Sequence, residues 1–343
     1  MRALVAHAAR DIRIEDQTAR DPGENEVLVR VLRGGICGSD LHYYNHGGFG
    51  TVRLREPMVL GHEVAGEVLA CGPGVDTVAP GQLVAVSPSR PCGQCVQSRR
   101  GLFNHCLNMR FYGSAMPFPH IQGAFRERLV AHTSQLAVAD GLSAATASMA
   151  EPLAVAIHAA NQAGSLVGKR VLITGCGPIG MLCLLVAQAA GAVEVVVTDL
   201  ADFPLRMART LGATRAVNVA TEDDALDDYT ADKGYFDVLF ECSGAEQAFA
   251  AALPVLQPGG VIVQLGLGGD MTIPMQLLTA KELQLRGSFR FHEEFFVGVQ
   301  WMRQGRIDVT PLQTHTFALD DAEQAFAQAN DRSQAMKVHL DLG

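Results

Sequence analysis

Residues 169–180 read KRVLITGCGPIG, and this stretch decides the fold of the second half of the chain. An apolar strand ends at a Gly-x-Gly-x-x-Gly turn, and a helical pattern follows at once. The first glycine permits the tight turn, the second lets a pyrophosphate approach the backbone, and the third lets helix and strand pack closely. The N–H groups at the helix N-terminus then face the phosphates. The expected cofactor-binding residues of this turn are Gly175, Gly177, Pro178, Ile179 and Gly180.

A carboxylate after the next strand bears on the choice of cofactor. Asp199 follows the apolar segment 193–198, about twenty residues after the glycine turn, where a carboxylate accepts hydrogen bonds from the adenosine ribose. The same charge repels a 2′-phosphate, so the sequence favours NAD over NADP. Arg206 lies a few residues further along and can soften this preference, which leaves NADP as an alternative.

The pattern around the glycine turn predicts a doubly wound α/β domain. Apolar strands alternate with helical patterns after about residue 150, and such alternation implies right-handed βαβ units and a parallel sheet. The strands are expected at residues 170–174, 193–198, 237–241 and 261–265, and the helices between them at 179–190, 203–211 and 245–256.

The first part of the chain has a different character. Short β-like stretches at 27–32, 64–69 and 82–86 are separated by glycine and proline, as in an antiparallel, barrel-like domain. A polar helix at 320–330 and a strand at 336–342 are expected to return to this domain. The predicted division is therefore a β-rich domain at 1–152, joined by 290–343, and a Rossmann domain at 153–289.

Composition excludes several classes of protein. The chain has 343 residues, a net charge of −9 and 48% hydrophobic residues, with no long basic run and no apolar run that could span a bilayer. We therefore expect no nucleic-acid or membrane partner. The N-terminal segment lacks the basic start and long apolar block of a signal peptide, so we expect a cytoplasmic location with reduced cysteines.

Three residues upstream of the glycine turn predict a catalytic metal. Cys37 lies in the stretch GICGSDLH, and His62 and Glu63 lie in LGHE. A thiolate, an imidazole and a carboxylate give three protein ligands, and a fourth open position is typical of catalytic zinc.

The motifs GICGSDLH, GHE and GCGPIG, in this order, resemble the zinc-containing medium-chain dehydrogenases, and the likeness covers the whole chain. The resemblance implies a GroES-like catalytic domain, a Rossmann domain, an active site in the cleft between them and a homotetramer. EPLAVAIHAA at 151–160 matches the sorbitol dehydrogenase branch, which implies that Glu151 lies near the zinc and can exchange with water as a ligand. The family also implies that Asp40 hydrogen-bonds His62 from behind.

The resemblance also implies a mechanism. Zinc lowers the pKa of a substrate hydroxyl, and a hydride then passes to the nicotinamide. Ser39 is expected to relay the proton, and His42 is expected to release it, although a structural histidine is the alternative.

Members of this family often carry four cysteines in a lobe that binds structural zinc. The corresponding positions here hold Cys92, Cys95, Ser98 and Cys106, so one thiol is missing. We expect a lobe that folds without metal. Zinc on three thiolates, completed by His105 or water, remains the alternative.

Two stretches, MRFYGSAMPFP at 109–119 and GSFRF at 287–291, resemble the bacterial L-idonate 5-dehydrogenases, which interconvert L-idonate and 5-keto-D-gluconate. A sugar acid is therefore the expected substrate, and a neutral polyol such as sorbitol or xylitol is the alternative. A carboxylate needs a cation, and an arginine fork fits it best. Arg290 is preferred, ahead of Arg110 and the pair Arg53 and Arg55. A non-catalytic NAD-binding protein on the same fold is a remote alternative, since fold does not fix function.

Overall fold

The computed structural model describes residues 1–222 and 224–343. Strands dominate the first part of these residues, and strands alternate with helices in the second. The strands are β1 (Arg2–Ala8), β2 (Asp11–Asp16), β3 (Glu26–Gly35), β4 (Gly48–Phe49), β5 (Val52–Arg53), β6 (Met58–Val59), β7 (Glu63–Cys71), β8 (Leu83–Val86), β9 (Ser89–Arg90), β10 (Arg110–Phe111), β11 (Arg128–His132), β12 (Leu136–Val138), β13 (Arg170–Thr174), β14 (Glu194–Asp199), β15 (Arg215–Asn218), β16 (Phe236–Glu241), β17 (Leu256–Gln264), β18 (Gln284–Gly287), β19 (Gln313–Ala318) and β20 (Lys337–Asp341).

Ten α-helices lie in the described residues, and three of them, at 178–189, 202–210 and 322–330, begin and end within two residues of the expected positions. The longest of them in the described residues has 14 residues, and none combines the length and hydropathy that a bilayer crossing requires. They are α1 (Gly38–His46), α2 (Val96–Arg99), α3 (Ala144–Ser148), α4 (Ala150–Ala163), α5 (Pro178–Ala189), α6 (Asp202–Thr210), α7 (Glu246–Ala252), α8 (Met275–Ala280), α9 (Glu294–Arg303) and α10 (Ala322–Asn330).

A six-stranded parallel sheet confirms the Rossmann prediction. Its order is β15-β14-β13-β16-β17-β18, so the strand order reverses between β13 and β16. Val171 and Ile173 on one face of β13 and Leu172 on the other are fully buried, since helices cover both faces of a parallel sheet. In such sheets ligands bind outside the carboxyl ends of the strands, at the point of reversal.

The β-rich part forms a seven-stranded sheet around β3. Its path is β12-β8-β7-β3-β20-β19, and β11 also pairs with β3. Val27, Val29 and Val31 alternate inward and are fully buried, as expected for a strand with one face on a core. Strand β20 pairs antiparallel with the end of β3, where His339 lies opposite Gly35. The last strand of the chain thus lies beside the segment that leads into α1.

Several details of the Rossmann part differ from the sequence-based expectations, among them the start of β17, which lies five residues before the predicted residue 261. The helix predicted at 245–256 ends at Ala252, because Pro254 follows and the chain enters β17 at Leu256. Strands β15 and β18 were not predicted. All four residues of β18 are exposed, so this edge strand lacks the apolar run by which buried strands are recognised.

Candidate active site and metal centre

Cys37, His62 and Glu63 come together as predicted. Their ligand atoms all lie within 4.8 Å of one another. Cys37 is the N-cap of α1, and the other two residues stand at the start of β7. The register of β3 and β7 places Gly35 opposite Glu63, and any side chain larger than glycine at 35 would collide with the Glu63 carboxylate. This cluster is called the metal centre below.

The donor set of the metal centre fits zinc. Thiolate sulfur, imidazole nitrogen and carboxylate oxygen are all zinc ligands. His62 is 4% exposed, and its Nδ1 atom has no hydrogen-bond partner within residues 1–222 and 224–343. An unpartnered buried ring nitrogen is unusual and suits a site built to hold something more.

Asp40 differs from its predicted role. Its Oδ1 lies 3.8 Å from His62 Nδ1, which is too far for a hydrogen bond. The carboxylate instead accepts the backbone N–H groups of Cys37 and Gly61, each at 3.0 Å. Asp40 therefore ties together the two backbone segments that carry the thiol and the imidazole.

Lys337 is a part of the centre that sequence reasoning missed. Its Nζ donates to both carboxylate oxygens of Glu63, at 2.7 and 2.9 Å, and both side chains are almost fully buried. A lysine in the apolar strand MKVHLDL is the signal that could have revealed it, because a buried charge requires a partner. The Glu63 carboxylate is thus held from one side by a buried cation.

Glu151 lies where the sequence predicted, beside the metal centre. It stands in the first turn of α4 and is 6% exposed. Burial raises the pKa of its carboxyl, while the nearby His62 ring opposes this rise. With Asp40, the site therefore contains three buried carboxyls, and the lysine binds that of Glu63.

Arg290 lies close to the same centre in a strained conformation. Its φ is 55°, in the left-handed region that side chains avoid. Its guanidinium carbon lies 4.3 Å from the centroid of the Phe111 ring, and that ring lies 5.6 Å from the ring of His62. Burial lowers the pKa of Arg290, and Glu151 partly offsets this effect. Arg110, by contrast, is exposed on β10.

The predicted proton path lies on α1. Ser39 and His42 are three residues apart on this helix and thus share a face. Ser39 is half-buried and His42 is exposed. Partial burial, helped by the neighbouring His46 and Arg332, lowers the pKa of His42.

The glycine turn has the geometry that dinucleotide binding requires. Gly175 has a φ of 86°, and a Cβ there would lie 2.7 Å from the backbone nitrogen of Ser243. A Cβ on Gly180 would collide with the carbonyl oxygen of Gly175. Nothing lies within 4 Å of a Cβ built on Gly177, the N-cap of α5, and Pro178 follows at the first helical position. The N-terminus of α5 is therefore open to a phosphate.

Asp199 ends β14 next to this turn. Its carboxylate accepts the backbone N–H of Cys176 at 2.7 Å and that of Ala201 at 3.0 Å. These bonds fix the carboxylate at the edge of the predicted adenosine site. Arg206 is exposed on the following helix.

Glu241 is a second residue that sequence reasoning missed. It ends β16 and is fully buried. Its carboxylate accepts the N–H groups of Ser243 and Gly244 and the side-chain amide of Gln264. It thereby ties the ends of β16 and β17 together, where the strand order predicts the cofactor cleft. A carboxylate at the end of a buried parallel strand was the available signal.

Residues 92–106, called the cysteine lobe below, gather three thiols near the surface. The Sγ of Cys106 lies 3.4 Å from that of Cys92 and 3.9 Å from that of Cys95. The Ser98 hydroxyl lies 3.3 Å from the Cys95 sulfur. His105 is not part of this group: its exposed ring stacks on Phe289 at 5.7 Å. The three thiols are close enough to share a metal, but His105, the alternative fourth ligand, lies outside their cluster.

The cysteine lobe also touches the segment that carries Arg290. The Asn104 side chain donates to the carbonyl oxygen of Phe289 at 2.9 Å. The ring of Phe103 packs on His292, with centroids 4.4 Å apart. The lobe therefore contacts the chain on both sides of Arg290, whose backbone is strained.

Comparisons with known proteins agree with this geometry. An alcohol dehydrogenase GroES-like domain matches residues 23–140, and a zinc-binding dehydrogenase domain matches residues 178–304. The chain is 44% identical over 343 residues to the L-idonate 5-dehydrogenase (NAD(P)(+)) of Escherichia coli K12, covering 98% of each protein. It is 34% identical to the sorbitol dehydrogenase of Bacillus subtilis 168, covering 98% of this chain and 96% of that one.

A solved structure extends the agreement to three dimensions. The crystal structure of the Escherichia coli L-idonate 5-dehydrogenase superposes with a TM-score of 0.95 at 43% identity, covering 99% of this chain and 97% of the other. A relative of such identity over nearly the full length shares the fold and the arrangement of its two parts. The chain therefore belongs to the zinc-dependent medium-chain alcohol dehydrogenases, with a GroES-like and a Rossmann part, and it is a dehydrogenase.

Proposed function

We propose that this protein oxidises the C5 hydroxyl of L-idonate to the ketone of 5-keto-D-gluconate, with NAD as the hydride acceptor. The observation that carries the proposal is the 44% identity, over 98% of both chains, to an L-idonate 5-dehydrogenase. The physical site is compatible with it, because the metal centre, Glu151 and Arg290 cluster in one place.

Cys37, His62 and Glu63 are the proposed zinc ligands, with Glu151 beside them as a direct or water-mediated partner. When bound, zinc supplies the Lewis acidity that lowers the pKa of a substrate hydroxyl. Lys337 positions Glu63, since its two hydrogen bonds hold the carboxylate in a fixed orientation. The ring of Phe111 packs against one side of His62.

Ser39 and His42 are the proposed path for the proton that leaves the substrate. Ser39 follows Cys37 by two residues and is half-buried, and a hydroxyl can both accept and donate a proton. His42 lies three residues further towards solvent. Its lowered pKa keeps the ring neutral at neutral pH, so it can accept the proton and release it to water.

The proposed cofactor site consists of Gly175, Gly177, Pro178, Ile179 and Gly180, together with Asp199. The open N-terminus of α5 suits the pyrophosphate, and the Asp199 carboxylate suits the adenosine ribose. We propose that NAD is preferred and that NADP is used less well. The exposed Arg206 follows Asp199 closely in sequence, and its positive charge can offset the repulsion between Asp199 and the 2′-phosphate of NADP.

A panel of sugar acids and polyols, assayed by NADH formation, tests the proposed function. We expect the highest kcat/KM for L-idonate, and lower values for sorbitol and xylitol. A protein that oxidises neutral polyols but not L-idonate would establish the sorbitol-type alternative, which the 34% identical Bacillus subtilis relative supports.

We further propose a cytoplasmic enzyme of carbohydrate metabolism that assembles as a homotetramer. The exposed edge strand β18, in which Leu285 is 43% exposed, supports assembly, because the unpaired edge of a sheet is a ready contact surface. The proposed domains are residues 1–152 with 290–343, and residues 153–289. The pairing of β20 with β3 supports the return of the last segment.

A further inference from the structure

A cavity outside the metal centre collects positive charge on a chain with a net charge of −9. It has a volume of about 360 Å³ and lies at the segment that follows α1. Its lining residues are Thr51, Val52, Arg53, Arg55, Ala115 and Met116. Two guanidinium groups on one small cavity create a local field opposite to that of the whole protein.

Neither arginine of this cavity is neutralised. Among the described residues, neither Arg53 nor Arg55 forms an ion pair with a carboxylate. The neighbouring carboxylate of Glu56 accepts the backbone N–H of His120 at 2.6 Å and is thus already engaged. The Arg55 guanidinium stacks over the Phe118 ring at 4.4 Å, which fixes its direction while its N–H groups remain available.

The cavity is connected to the metal centre through a short series of contacts. Arg290 donates through Nη2 to the sulfur of Met116, a residue of the cavity, at 3.2 Å. The same guanidinium lies over Phe111, which packs on His62. In this series of contacts, Arg290 thus lies between the metal centre and the cavity.

The backbone of the cavity is also fixed to the helix that carries the metal centre. Ala115 donates its N–H to the Tyr43 hydroxyl at 3.0 Å. Tyr43 is 2% exposed and belongs to α1, whose N-cap is Cys37. The distance between the cavity and the metal centre is thus set by one rigid element, as selection by substrate length requires.

We propose that this cavity is the subsite for the substrate carboxylate, with Arg53 and Arg55 as its ligands. The inference rests on the proposed function, and it moves the carboxylate-binding role from Arg290 to these two residues. In an aldonate whose C5 hydroxyl lies at the metal centre, the C1 carboxylate is four carbon–carbon bonds away. Arg290 then meets the hydroxyls in between. A guanidinium fork recognises a carboxylate through two parallel hydrogen bonds, whereas a neutral polyol gains little from such a cation.

The test compares Arg53→Gln, Arg55→Gln and the double variant with wild type, on L-idonate and on sorbitol. Arg128→Gln is the control, since Arg128 is an exposed arginine on β11. We expect the double variant to raise KM for L-idonate by roughly tenfold or more, since about 1.4 kcal/mol of lost binding is tenfold. KM for sorbitol and the melting temperature should stay within twofold and a few degrees of wild type. Added salt should raise KM for L-idonate in wild type and much less in the double variant.

Three results would overturn the proposal, and they are distinguishable. If wild type oxidises L-idonate and the double variant keeps the same KM and salt dependence, the subsite is wrong and the proposed function stands. If wild type oxidises sorbitol and leaves L-idonate untouched, the proposed function and the subsite are both wrong. Equal losses on both substrates would also overturn the subsite, since they would show a general role in packing.

Discussion

The metal centre and the cysteine lobe use similar donors in opposite ways. The metal centre is buried and is assembled from distant parts of the chain, with Glu63 and Lys337 separated by 274 residues. The cysteine lobe is local: Cys92 and Cys106 are 14 residues apart, and both belong to one surface loop region. A tertiary fold is needed to form the first, whereas a short segment forms the second.

The two regions also compensate charge differently. At the metal centre, a buried lysine neutralises the carboxylate before any metal binds. In the cysteine lobe, backbone N–H groups approach the sulfurs: that of Cys95 lies 3.4 Å from Cys92 Sγ, and that of Leu107 lies 3.4 Å from Cys95 Sγ. We infer that the buried lysine keeps the metal centre in the geometry that catalysis needs. The backbone hydrogen bonds to sulfur hold the cysteine lobe in place with or without metal.

Substitution of one thiol in each region should give the largest contrast between the two regions in activity. Cys37→Ser removes a proposed zinc ligand, so zinc and activity should be lost together, with kcat/KM falling on the order of a thousandfold. Cys95→Ser should keep most of the activity. Elemental analysis and NADH assays on the same preparations check both results. Full activity of Cys37→Ser in zinc-free protein would contradict this assignment.

Removal of the buried cation should destabilise the folded protein through its effect on the metal centre. Lys337→Met leaves Glu63 buried without its partner, and breaking such a pair costs about 3–5 kcal/mol of unfolding free energy. Urea unfolding with a chelator present measures the loss. Lys337→Arg, which keeps the charge, should recover much of it. A loss of under about 1 kcal/mol in Lys337→Met would show that the ion pair is not what holds Glu63.

Addition of a fourth thiol to the cysteine lobe should make it resemble a structural zinc site. Wild type should contain about one zinc per chain, and Ser98→Cys should contain about two, because four thiolates form a closed site. The added zinc should stabilise the protein by about 2.7 kcal/mol when its free concentration is 100 times Kd. Ser98→Ala is the matched control. Two zinc ions per wild-type chain would show that three thiols already suffice.

Thiol labelling should reveal the smallest difference between the two regions. Hydrogen bonds from the backbone of Gln94 and Cys95 lower the pKa of Cys92 to about 6. The thiolate is the reactive form, so Cys92 is expected to react with iodoacetamide from about pH 6 upwards, and more slowly below it. Mass spectrometry of peptides after brief labelling shows which cysteines react first. Protection of Cys92 that a chelator removes would show that metal occupies the lobe.

Periodicity and motifs were enough to predict most of the fold. The strands of the parallel sheet that are buried on both faces carry continuous apolar runs, and β13 and β14 were predicted within one residue of their observed ends. Strand β18 could not be predicted in this way because its residues QLRG are exposed on the edge of the sheet. Its position depends on pairing with β17, which is a tertiary contact.

The site was predicted where short motifs define it. Cys37, His62 and Glu63 were correctly expected to come together, because a glycine-flanked cysteine and a Gly-His-Glu turn are distinctive. Lys337 was missed because its partner is far away in sequence. His105 was expected only as an alternative fourth ligand of the cysteine lobe, and its ring stacks instead on Phe289, a residue of another segment.

The position of Lys337 in the last strand has a consequence for synthesis. Ribosomes add about 5–20 residues per second, so roughly 14–55 s pass between the synthesis of Glu63 and that of Lys337. During this interval the nascent chain already holds the thiol, the imidazole and the carboxylate, but not the cation that orients the carboxylate. A translating ribosome therefore exposes the three proposed zinc ligands before the lysine that orients one of them, and we expect correct loading of the metal to follow the synthesis of Lys337.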